Sequence, residues 1–177
     1  MSYITKYGSF WGMLPQTSGR IFWVAAAASY VVEGATDTAS DGNDGLSPER
    51  AFRTIDYAVG QCTANVGDVI VLLPGAHSSA ATVTLDIAGV HITGIPSDVP
   101  HSKSRRNSGG RRNKATIVNT ATAGIIFTVS ALDVEISHLT FLPVAAGGRG
   151  ISIAATVNTN DRCYIHDCTF QMAATAS

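Results

Sequence analysis

Asp133, Glu135, His138, Asp161, Tyr164, His166 and Asp167 are the residues whose types and spacing could do chemistry. They sit in or beside two phrases, Val134–Phe141 (VEISHLTF) and Cys163–Phe170 (CYIHDCTF), which align without gaps at an offset of 29 residues. Glu135 then shares a position with Tyr164, and His138 with Asp167. If the phrases are strands lying one on the other, aligned residues are about 5 Å apart, close enough for two carboxylates or a His-Asp pair to act together. Polysaccharide cleavage would need such a convergence, as a hydrolytic carboxylate pair or as a calcium cluster beside a basic residue. Asp133 and Asp161 miss strict alignment by one residue and stand where strands begin after loops, as turn-forming aspartates do. The other acids of this region, Asp86 and Asp98, add no partner. His138 against Asp167, with His166 alongside, has no placed nucleophile and reads as a surface hydrogen bond. No catalytic residue and no enzymatic activity is expected.

Metal and cofactor chemistry find no better footing. Ser40-Asp41-Gly42-Asn43-Asp44-Gly45 is rich in oxygen, but the acidic ligand that a helix-loop-helix calcium site needs twelve positions along falls on Ala51 or Phe52. Its glycines, Asn and Asp instead supply the positive φ angles of tight turns. Cys62, Cys163 and Cys168 make an odd count without a CxxC pair, which points to buried free thiols in a reducing cytosol. No metal and no cofactor is expected.

Charge is unevenly placed. Lys103, Arg105, Arg106, Arg111, Arg112 and Lys114 supply 6 of the 12 basic residues, while the rest of the chain carries 6 basic against 13 acidic residues, a formal −7. The loop that holds them is an insertion over residues 97–114, built of small polar residues and glycine. It is either a solvated insertion or a docking element for an acidic surface. It lacks aromatic residues to stack on bases, so a protein partner is expected over nucleic acid.

These residues need elements to hold them. A third phrase, Val90–Gly94 (VHITG), matches the first two, and its offset of 44 residues from Ile92 to Ile136 reflects the basic insertion. Each phrase has apolar residues two apart, so its inner face is buried only if copies stack, as in a parallel β-solenoid. Strands are expected at Gly67–Gly75, Val83–Ile87, Val90–Ile95, Ala115–Asn119, Gly124–Val129, Val134–Phe141, Gly150–Ala154 and Cys163–Phe170, about four coils in all. Thr54 to Thr63 reads as a short helix with Thr54 as N-cap and Ile55, Ala58, Val59 and Cys62 on one face, closing the first coil. After Phe170 no amphipathic cap is evident, so the last rung is expected to be covered by the folded-over tail, by a partner subunit or by a natural chain that continues.

Residues 1–34 form an aromatic arm with Tyr3, Tyr7, Phe10, Trp11, Phe22, Trp23 and Tyr30. It either folds back on its own coil or packs on a neighbouring subunit, in which case Phe10, Trp11, Phe22 and Trp23 are the contacts. The apolar run Ile21–Val32 is twelve residues long, short of the roughly 20 needed to cross a bilayer. No membrane association is expected. Residues 35–177 are the β domain.

The run Asp41–Ile55 (DGNDGLSPERAFRTI), followed by Gly67–Gly75 (GDVIVLLPG) and Val90–Gly94, resembles the entry to right-handed parallel β-helix proteins of the pectin-lyase-like superfamily. The likeness is greatest to virion proteins of tailed bacteriophages and covers Gly34 to about Phe170. The arm Met1–Met13 (MSYITKYGSFWGM) and Gly19–Val24 (GRIFWV) also look like the start of phage structural proteins of this group. The resemblance implies an all-β, right-handed parallel β-helix, commonly trimeric. It further implies a structural protein of the virion, assembled in the host cytoplasm, as capsid decoration, cement, spike or fibre. The alternative it implies is a tailspike-like polysaccharide-binding or depolymerising module.

Overall fold

Which side chains point inward on each short strand decides most of this architecture. The computed structural model describes residues 17–26, 29–32, 35–79, 81–95, 115–119, 124–143, 148–154 and 162–171. In chain order these contain β1 (Ile21–Val24), β2 (Ser29–Val32), β3 (Ala35–Thr38), a 3-10 turn at Pro48–Arg50, and helix α1 (Ile55–Gly60). There follow β4 (Val69–Leu72), β5 (Ala76–Ser79), β6 (Val83–Leu85), β7 (His91–Gly94), β8 (Ala115–Asn119), β9 (Ile125–Val129) and β10 (Val134–Ser137). The series closes with β11 (Leu139–Pro143), β12 (Arg149–Ile153), β13 (Cys163–His166) and β14 (Thr169–Phe170).

The described residues are all-β with little helix, and their main sheets are parallel. One sheet runs β1-β4-β7-β10-β13, a second β5-β8-β11-β14 and a third β6-β9-β12, while β2 and β3 pair antiparallel. From β4 onward the chain passes through the first, second and third sheets in that order and then returns to the first. Sequence-distant residues therefore share ladders. Phe22, Ile70, Ile92, Ile136 and Ile165 stand in consecutive register across the first sheet. The alignment at an offset of 29 thus holds residue for residue, with Ile136 against Ile165.

The inner face of all three sheets feeds one core. Phe22, Ile70, Ile92 and Ile136 join Val83, Leu85, Phe127, Val129, Leu139 and Phe141, with Ile55, Ala58 and Val59 of α1 seated at one end. Thr54 caps α1 as its sequence suggests: its hydroxyl accepts the Tyr57 N–H, and Asp41 accepts the N–H groups of Arg53 and Thr54. β4 is buried on both faces, which is why its sequence is continuously apolar. Its outer face joins a second core of Trp23, Ala25, Ala39, Ala51, Val69, Val71, Leu73 and Ile95.

Three expectations need correcting. β1 is the first strand of the main sheet, so that sheet starts at Ile21, inside the segment assigned to the arm. Phe22 and Trp23 are accordingly 2 % and 1 % exposed and lie one in each core, which removes them as external anchors and favours the folded-back reading. Phe10, Trp11 and the six loop cations lie outside the described residues. The phrases Val134–Phe141 and Cys163–Phe170 are each two strands rather than one. His138 (φ +56°) and Asp167 (φ +52°) break them, turning the chain from the first sheet to the second through the left-handed region. β5 was not anticipated, because Ala76-His77-Ser78-Ser79 carries no apolar alternation.

The edge of the first sheet at β1 is closed by its own chain. Trp23 donates to the Gly45 carbonyl (2.8 Å), Phe52 donates to the Trp23 carbonyl (2.8 Å), and Ala25 donates to the Phe52 carbonyl (2.9 Å). The loop carrying these groups needs glycine at Gly45 (φ +67°), where a Cβ would overlap the Phe52 ring.

Candidate functional site

The outer face of the first sheet changes character along the stack. Its ladder reads Ile21, Val69, His91, Glu135, Tyr164, apolar and covered at the start, polar at the end. Two residues before Val69, His91 and Glu135 of this ladder, Gly67 (φ +78°), Gly89 (φ +73°) and Asp133 (φ +54°) all adopt the left-handed region. Two of these corners carry no side chain, and a shallow open groove runs over them. It is lined by Asn65, Gly67, Gly89, His91, Asp133, Glu135, Arg162 and Tyr164.

The groove's charged groups are engaged across rungs. Glu135 is the hub: its Oε2 lies 3.1 Å from His91 Nδ1 and its Oε1 lies 3.1 Å from His166 Nε2. His166 Nδ1 lies 3.0 Å from Asp167 Oδ2, and His138 Nε2 lies 3.7 Å from the same oxygen. The His138 and His166 rings meet edge to face at 5.9 Å. Asp133 accepts from Arg162 Nε at 2.7 Å. The residue stacked on Asp133 is thus an arginine, and the pair makes a turn and an ion pair rather than a carboxylate couple. Asp161 and Asp98 lie outside the described residues. Asp86 is exposed.

Proton affinities follow from this geometry. Burial pushes the Glu135 carboxyl up, but hydrogen bonds and charge from His166 and His91 outweigh it, so the group is held below its ordinary value. The hydrogen bond to Asp167, then that to Glu135, holds the His166 imidazole above its ordinary value against a smaller effect of burial. A depressed carboxyl contributes stability above its unfolded pKa that is lost as pH falls through the folded one. A raised imidazole contributes below its unfolded pKa and loses that as pH rises. Both contributions are complete between about pH 4.5 and 6.5, the ordinary values of the two groups. In thermal melts, the Tm gap between the natural protein and Glu135→Gln should be widest in that window. It should narrow toward pH 8 and below pH 4; a gap independent of pH would refute the linkage.

The oxygen-rich loop does turn chemistry. Asp41 Oδ2 accepts the Thr54 hydroxyl at 2.9 Å, and Asp44 accepts the Leu46 N–H and pairs with Arg50 at 2.9 Å. Among the described residues no group of three or more His, Cys, Asp or Glu is arranged to hold a metal ion. Cys62, Cys163 and Cys168 are in no disulfide among the described residues, and they are half-buried rather than fully buried. The Cys62 thiol, pushed up to about 12 by burial and then by Asp68, donates to the Ala58 carbonyl and is a poor nucleophile.

Sequence reasoning missed two residues. Asp68 is a fully buried carboxylate that ties Arg20 and Thr63 together, and in the sequence it reads as an ordinary turn residue between Gly67 and the apolar run that starts at Val69. His91 joins Glu135 across rungs, and aligning VHITG with VEISHLTF would have revealed it. No helix among the described residues is long and apolar enough to cross a membrane. No protein-family model, curated protein or solved structure matches the chain.

Proposed function

We propose that the chain is a right-handed parallel β-helix and a structural protein of a tailed-bacteriophage particle, as capsid decoration or cement or as part of a spike or fibre. One observation carries the reading. The β1-β4-β7-β10-β13 sheet is parallel throughout, and from β4 onward the chain passes the second and third sheets in constant order between its strands, as it does when coil stacks on coil. Right-handedness follows from the strong bias of parallel crossovers. The virion assignment rests on the likeness carried by Asp41–Ile55, Gly67–Gly75 and Val90–Gly94.

With Phe22 and Trp23 inside the core, attachment falls to residues 1–16, including Phe10 and Trp11, helped by Lys103, Arg105, Arg106, Arg111, Arg112 and Lys114 against an acidic protein surface. Deleting residues 1–16 spares Thr17, whose hydroxyl bonds the Gly67 carbonyl. The deletion should lower the copy number per purified particle, measured by mass spectrometry, about tenfold or more. Far-UV circular dichroism should stay unchanged. Full incorporation of the truncated chain would reject the anchoring role, and absence of the protein from purified particles would reject the virion assignment.

The groove over Gly67 and Gly89 favours a second reading as a polysaccharide-binding module. It offers an aromatic face at Tyr164, 56 % exposed, beside the polar groups of His91, Asp133, Glu135 and Arg162. On that reading Tyr164→Ala weakens retention on immobilised host surface polysaccharide about tenfold. A natural protein that is not retained removes it.

A further inference from the structure

His166 has a carboxylate oxygen at each ring nitrogen. Nε2 lies 3.1 Å from Glu135 Oε1, and Nδ1 lies 3.0 Å from Asp167 Oδ2. An ionised carboxylate accepts hydrogen bonds and donates none, and a neutral imidazole carries a single N–H. Both contacts are therefore hydrogen bonds only when the ring is an imidazolium. In the neutral ring one of them sets a lone pair against a lone pair. His91 is under no such constraint: among the described residues it meets Glu135 through Nδ1, and one N–H serves that contact in either charge state.

The two contacts of His166 join different things. Asp167 is the next residue, in the corner that leads to β14. Glu135 belongs to β10, so its contact crosses from strand to strand of the first sheet. Ahead of His166 in its own ladder stand Trp23, Val71, Thr93 and Ser137. None of these titrates, and the Ser137 hydroxyl donates to that of Thr93 at 2.9 Å whatever the pH. In this ladder the proton-sensitive step thus falls between β10 and β13.

The surroundings decide which contact yields. His138, in the corner after β10, meets the His166 ring edge to face at 5.9 Å, and its Nε2 stands 3.7 Å from Asp167 Oδ2, beyond hydrogen-bond reach. Tyr164 shares the outer face of β13, and Arg162, just before that strand, is held by Asp133. Glu135 keeps a donor in His91 when His166 lets go, and the hydrogen bond to Asp167 has the larger hold on the His166 proton.

We propose that His166 is a proton-operated clasp between β10 and β13: as the imidazolium it ties Glu135 to Asp167, and as the neutral ring it keeps Asp167 through Nδ1–H and releases Glu135. The proton that leaves is the one on Nε2, and it goes to water. Release opens Oε1 of Glu135 at the groove this residue lines with Asp133, Arg162 and Tyr164, and the groove becomes more negative. Glu135 is held below its ordinary value and His166 above, so the clasp is closed from about pH 4.5 to 6.5 and opens as pH rises beyond that. This inference depends on neither reading of the function.

Nitrogen-15 NMR of the histidine rings in the full chain, titrated from about pH 5 to about pH 9, tests it, with His166→Gln to assign the signals. Both His166 nitrogens should be protonated at the acid end, and Nδ1 alone at the alkaline end. Glu135→Gln should weaken proton binding by His166 about threefold, a modest figure because the ring is half exposed, with unchanged far-UV circular dichroism. A His166 that titrates at or below pH 6.5, a neutral ring protonated at Nε2, or a proton affinity unmoved by Glu135→Gln overturns the proposal.

Discussion

Replacing Phe141 with alanine should cost about 3 to 5 kcal/mol of stability, measured by urea unfolding. Phe141 has no exposure and lies at the centre of an aromatic stack, 5.6 Å from Phe127 edge to face and 5.0 Å from Phe170 with the rings nearly parallel. Alanine leaves a cavity bounded by strands from two sheets, and backbone hydrogen bonding holds those strands at their spacing, so the site cannot collapse to fill it. The ring also supports β14, whose one strand partner among the described residues is β11. The loss should therefore be accompanied by amide exchange at Thr169 and Phe170 that approaches the rate of open chain. Phe141→Leu keeps most of the volume and should cost about 1 to 1.5 kcal/mol. A cost below about 1 kcal/mol for alanine would mean that the inner ladder does not hold the last rungs together.

Asp68→Ala is expected to be nearly as damaging, about 3 kcal/mol. The Asp68 side chain is fully buried, with Oδ1 accepting the Arg20 N–H at 2.6 Å and Oδ2 accepting the Thr63 N–H at 2.7 Å. The Arg20 guanidinium approaches Oδ2 at 3.3 Å and also donates to the Gln61 carbonyl. One carboxylate thus joins the segment entering β1, the end of α1 and the start of β4. Alanine strands two backbone N–H groups away from water, and each costs about 1 to 3 kcal/mol. Asparagine preserves one acceptor and should lose about half as much. Equal stability of the alanine variant and the natural protein would show that this junction carries no weight.

The parallel stacking of strands was legible because residues at equal depth in a ladder meet the same environment. Ile92, Ile136 and Ile165 recur for that reason, and their alignment transfers to the structure without a shift. The cap was legible too, since Thr54 precedes a short face of Ile55, Ala58 and Val59. The corners were not. His138 and Asp167 enter the left-handed region without being glycine; His and Asp do so more often than most residues, but both also occur within strands, so type alone did not mark the two phrases as broken. The fate of Phe22 and Trp23 was equally hidden, because the register partner of Phe22 is Ile70, 48 residues away, with no repeated phrase to announce it.

For the candidate site, types and order along the chain were readable and contacts were not. Glu135 opposite Tyr164 followed from the alignment, whereas the turn of His166 toward Glu135, and of Arg162 toward Asp133, depends on side chains reaching between rungs. Residue pattern alone determined that this is an all-β chain of short stacked strands, because alternation and recurrence are properties of the local backbone and its buried face. Only tertiary structure decided which aromatic residues face inward, where each strand breaks, and which carboxylates find a cation. Those outcomes depend on the positions of residues tens of places apart, and burial, charge and hydrogen bonding act through space without regard to that separation.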